Sequence, residues 1–66
     1  MKYKAYLKSR IEEIQRHVVV MEVVSCKDTF EIFVKKTKDS VDLKQLEFEL
    51  RDRLSMPGLL VKTYGE

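Results

Sequence analysis

Between His17 and Ser25 the chain reads His-Val-Val-Val-Met-Glu-Val-Val-Ser, and few positions in the run are polar. A strand wetted on one face alternates apolar and polar residues, and this one does not. In extended form it sets Val19, Met21 and Val23 on one side and Val18, Val20 and Val24 on the other. The β-branched residues Val18, Val19 and Val20 disfavour helix and favour strand. The segment is therefore expected to be a strand from Val18 to Ser25 with apolar residues on both faces. A chain of 66 residues rarely covers both faces of a sheet by itself. The surplus face predicts a partner: a second copy, a larger protein or a ligand filling a groove.

The rest of the pattern supplies the other elements. Tyr3, Leu7, Ile11 and Ile14 recur at spacings of four, four and three, which predicts a helix over Tyr3 to Arg16 with one apolar stripe. Cys26-Lys27-Asp28 is a short polar turn. Thr29 to Lys36 alternates more cleanly, with Phe30, Ile32 and Val34 on one face and Glu31, Phe33 and Lys35 on the other. So short a connection permits only an antiparallel hairpin, and Phe33 then joins the surplus face. Lys35 to Asp39 reads as loop, with Asp39 or Ser40 as helix cap and Asp42 in the first turn. The second helix is expected from Val41 to Leu54 on the stripe Leu43, Leu46, Leu50 and Leu54. Phe48 lies about 140° from Leu43 on a wheel of about 100° per residue, off the stripe and exposed. Ser55-Met56-Pro57-Gly58 stops that helix, and Leu59 to Tyr64 is a last strand.

The order α-β-β-α-β predicts an α+β fold: a two-layer sandwich of two helices on a three-stranded mixed sheet. The second helix is a crossover that makes the last strand parallel to the second, beside either hairpin strand. Both helices are expected on one face. The expected core is Leu7, Ile11, Ile14, Val19, Met21, Val23, Phe30, Ile32, Val34, Leu43, Leu46, Leu50 and Leu54, with Leu59 or Leu60 and Val61.

Composition narrows the function classes. One domain of residues 1–66 is all this length allows. A formal charge of +2 with 36% charged residues of both signs is an ordinary surface, not that of a dedicated nucleic-acid binder. No apolar run approaches the ~20 residues that span a bilayer. A lone cysteine fits a reducing compartment, so a cytoplasmic protein is expected. Cys26 and His17 are of metal-ligand type but lack ligand spacing, so neither a metal nor a cofactor is expected. They end the same strand, roughly 30 Å apart at ~3.3 Å per residue, too far for a catalytic dyad. His17 suits a helix C-terminus. Glu47, Glu49 and Asp52 alternate with arginines and read as surface charge.

One basic-aromatic cluster stands out: Lys2, Tyr3, Lys4, Tyr6, Lys8 and Arg10. Stacking rings on a cationic surface hold single-stranded nucleic acid. Glu12 and Glu13 follow at once, and no GxxG loop is present.

Two stretches carry a family resemblance: Ser9-Arg10-Ile11-Glu12-Glu13-Ile14, and Val41-Asp42-Leu43-Lys44-Gln45-Leu46-Glu47-Phe48-Glu49-Leu50-Arg51-Asp52-Arg53-Leu54 with the Pro-Gly turn after it. From Ser9 onward the chain resembles part of the C-terminal domain of the phenylacetate–coenzyme A ligase family of adenylate-forming enzymes. The resemblance implies a ferredoxin-like or ACT-like sandwich. It does not imply ligase activity. Met1 to Lys8 stands where the family has its glycine- and aspartate-containing hinge, and no tail carries the adenylation lysine. No residue matches a family catalytic position.

The sequence thus predicts a non-enzymatic interaction or accessory module, most simply a homodimer, with Phe33, Val18, Val20, Val24 and Phe48 as contact residues. A larger protein partner has the same physical outline. A nucleic-acid module using the N-terminal cluster is the second expectation, and a truncated ligase-type domain the third. No membrane partner is expected.

Overall fold

A computed structural model describes residues 2–65, the side chain of Lys2 excepted. The elements run α1 (Lys2–Ile14), β1 (Val18–Cys26), β2 (Thr29–Lys36), α2 (Leu43–Arg53) and β3 (Leu60–Thr63). The architecture is α+β, with two helices and a three-stranded mixed sheet in the order β1-β2-β3. β1 and β2 form the antiparallel hairpin, and β3 returns parallel to β2. Of the two places open to the last strand, it takes the one beside β2, which becomes the central strand.

The hairpin does not hold one register throughout. From the Lys27-Asp28 turn, Cys26 faces Thr29, Val23 faces Ile32 and Glu22 faces Phe33. Val20 then faces Val34, so Met21 is an extra residue, a bulge. A strand whose side-chain period is two changes face at an inserted residue. The expected core assignment of β1 is corrected accordingly. Val18 and Val20 lie in the core at 2% and 3% exposure, while Val19 and Met21 are about 40% exposed. The all-apolar run is degenerate in phase, so periodicity could not choose between them. The bulge sets compact Val20, rather than flexible Met21, opposite Val34.

One cluster joins both helices to a single face of the sheet. Leu7 and Ile11 of α1, Leu46 and Leu50 of α2, Val18, Val20 and Val23 of β1, and Ile32 and Val34 of β2 share it with Val41 and Leu59. Ile14, Phe30, Leu43, Leu54 and Val61 pack at its margin. Full burial of such a side chain stabilises the fold by about 1.5–3 kcal/mol.

Val41 also explains a shift in the start of α2. Asp39 and Ser40 form a separate turn, closed by the Val41 amide donating to the Lys38 carbonyl at 3.2 Å, and Val41 is buried ahead of the helix. Asp42, not Asp39 or Ser40, is the N-cap, and its carboxylate accepts from the Lys44 and Gln45 amides at 3.0 and 3.3 Å. At the other end, the Met56 amide donates to the Arg51 carbonyl and the Ser55 amide to the Asp52 carbonyl. This is a Schellman closure with Ser55 in the left-handed region at φ 54°. That position favours glycine, because a Cβ there is crowded.

Ser55→Gly is therefore expected to raise stability by about 0.5–1 kcal/mol, seen as a melting temperature higher by about 2–8 °C. A lower melting temperature would show that the serine is not strained.

Candidate interaction surface

The face of the sheet opposite the helices carries its own pattern. Residues directly opposite in a ladder point to the same side. The partners of Phe33 are Glu22 on β1 and Lys62 on β3, and those of Glu31 are Val24 and Leu60. Lys35 faces Val19, and its ammonium lies 5.7 Å from the ring of Tyr64, which follows β3. The open face is thus a three-by-three field with Phe33 at its centre. Val24, Leu60, Val19 and Tyr64 stand at the corners. Glu31 and Lys35 lie above and below Phe33 along β2, and Glu22 and Lys62 to either side. Lys62 pairs with Glu31 at 3.2 Å within the chain.

Each edge of the sheet is engaged by the helix beside it. Glu12 of α1 accepts the Val20 amide at 2.9 Å while Lys8 donates to the same carboxylate oxygen at 2.8 Å. Glu47 of α2 accepts the Val61 amide at 2.8 Å, and the Arg51 guanidinium donates to the Leu59 carbonyl at 2.8 Å. Glu47 and Arg51 also pair with each other at 3.3 Å. Glu47 is therefore not surface charge, as the sequence suggested. It holds the short β3 strand to its crossover helix. Its i,i+4 spacing to Arg51 was visible in the sequence, but the strand amide it meets was not.

The predicted contact residues separate into three groups. Phe33 and Val24 do lie together on the open face. Val18 and Val20 do not: the Met21 bulge turns them under α1 and α2, and their assignment to a contact surface is corrected. Phe48 is 61% exposed on the outer side of α2, with the Arg51 guanidinium 5.7 Å from its ring. The sheet lies between it and Phe33, so the two share no surface.

Two cations of the N-terminal cluster are engaged within the chain. Lys8 pairs with Glu12, and Arg10 with Glu13 at 3.2 Å. The Tyr3 ring lies 6.0 Å from that of Tyr6 and 5.4 Å from that of Phe30, and both tyrosines are exposed. Lys4 joins Lys8, Met21 and Glu22 around a shallow recess of about 190 Å³ at the β1 edge. The side chain of Lys2 lies outside the described residues.

A polar cleft of about 280 Å³ opens where α1 ends and α2 begins, lined by His17, Lys38, Ser40, Asp42 and Glu49 among others. The Asp42 carboxylate already occupies the amides at the helix start. Among the described residues no group of three or more His, Cys, Asp or Glu is placed to hold a metal ion. Cys26 is an exposed thiol at the hairpin turn. No helix there is long and apolar enough to cross a membrane. Compared with known families, curated proteins and solved structures, the chain matches none.

The Glu12 carboxyl is held below its ordinary value of 4.5, first by the Lys8 hydrogen bond and then by the Val20 amide, with the Lys8 charge adding; partial burial opposes them. A folded-state pKa below the unfolded one gives stability present above the unfolded value and lost as pH falls through the folded one. Unfolding free energy should therefore fall below about pH 4.5. In Glu12→Gln that acid-side fall should be shallower. Urea unfolding from about pH 7 to about pH 3 reads it. An unchanged acid slope would remove Glu12 from this role.

Proposed function

We propose that this chain is a non-enzymatic protein-interaction module, accessory or regulatory in role, that docks a protein through its open sheet face. The observation that carries the reading is Phe33 at the centre of that face, with Val19, Val24, Leu60 and Tyr64 around it and both helices on the other side. Val19 and Tyr64 are exposed there and Phe33, Val24 and Leu60 half-buried, and apolar side chains left open on a small protein commonly mark a contact. An aromatic side chain ringed by polar groups is the usual composition of an interface centre. The engaged edges favour face packing over strand addition as the binding mode. The charges within the face give orientation, since like charges placed opposite each other are excluded.

Panning a displayed library of protein fragments against the immobilised chain tests this. Phe33→Glu should stay folded, with cooperative unfolding, and should bind the selected fragments at least about tenfold more weakly. Phe48→Glu should bind them unchanged. Fragments indifferent to Phe33, or a Phe33→Glu chain that no longer folds, would contradict the reading.

A further inference from the structure

We infer that the occupant of the open face is a second copy of this chain, packed face to face with its strands crossed at about 90°. The inference rests on the docking reading above and names its partner.

Charge is arranged asymmetrically around Phe33. Glu22 and Glu31 lie on two adjacent arms of a cross, and Lys62 and Lys35 on the other two. A twofold dimer that stacks two such faces has its axis in the plane between them. Four simple placements of that axis through Phe33 exist. An axis along β2 sets Glu31 against its own copy and Lys35 against its own. An axis across the strands does the same to Glu22 and Lys62. The diagonal from Val24 to Tyr64 sets Glu22 against Glu31 and Lys62 against Lys35. The diagonal from Leu60 to Val19 alone sets every acid against a base: Glu22 against Lys35 of the second copy, and Lys62 against Glu31 of the second copy. It also stacks Phe33 on its own copy and Val24 on Tyr64.

The dimensions allow this. Strands lie about 4.8 Å apart and alternate residues about 6.7 Å apart, so crossing arms miss each other by about 2 Å, within reach of Lys and Glu side chains. Glu22 makes no ion pair within the chain among the described residues, which leaves it free for Lys35 of the copy. The nine positions frame about 10 by 13 Å between Cα atoms. That places the contact at the small end of specific interfaces, below about 1,200 Å² in total. The dimer is accordingly weak and concentration-dependent.

Sedimentation velocity on the full chain from about 10 µM to about 1 mM tests it, with reductant to keep Cys26 a thiol. The expected result is a monomer that passes to a dimer within this range. Lys35→Glu should weaken dimerisation at least about tenfold by setting two acids together, and Glu22→Lys with Lys35→Glu should restore it. In a Cys26→Ser background, Val19→Cys lies on the twofold axis and should cross-link to its own copy on oxidation, whereas Val24→Cys should not. A chain that stays monomeric at about 1 mM, or a dimer indifferent to Lys35→Glu, overturns the inference. If Phe33-dependent fragments are still selected from the library, the docking reading survives that result with a different protein as occupant. If none are selected, both fall.

Discussion

The bulge at Met21 decides what this molecule can present to others. Before it, β1 turns Val18 and Val20 toward the helices; after it, Val23 takes that side. Without the inserted residue, Val19 and Met21 would fill the core and Val18 and Val20 would join Phe33 outside. The open face of β1 would then carry Val18, Val20 and Val24 around Glu22. With the bulge it carries Val24, Glu22 and Val19, and Val19 stands opposite Lys35. The inserted residue thus takes one valine off the open face and places two, Val18 and Val20, in the core.

A second constraint complements the first. A small sheet exposes the unpaired amides and carbonyls of two edge strands, which invite pairing with other chains. Here each helix sends a glutamate to its neighbouring edge, Glu12 to the Val20 amide and Glu47 to the Val61 amide. Both carboxylates are steadied by a cation four residues away, Lys8 before Glu12 and Arg51 after Glu47. The helices thus bury their apolar stripes on one face of the sheet and occupy part of its rims with their charged flanks. The opposite face is what remains for contact.

Element types, their order and the one-sided packing of both helices were legible in the sequence, because each rests on a pattern with a single physical reading. Leu7 and Ile11, or Leu46 and Leu50, repeat only as a helix does. The Lys27-Asp28 turn leaves only an antiparallel return. The phase of β1 was not legible, because Val18, Val19, Val20 and Met21 are all apolar and a bulge leaves no mark in such a run. Two of the three predicted β1 contacts, Val18 and Val20, were lost for that reason alone. Phe33 and Val24 kept their place because β2 alternates unambiguously and the turn fixes the register near it. The edge-binding role of Glu47 depends on where β3 lies, and the sequence allowed two places.

Thiol accessibility along β1 tests the bulge most directly. In a Cys26→Ser chain, single cysteines at positions 19, 20, 23 and 24 are labelled with a maleimide under native conditions. The account predicts fast labelling at 19 and 24 and strong protection at 20 and 23. Protection at 19 together with fast labelling at 20 would mean an unbulged strand with the opposite face buried, and would contradict it.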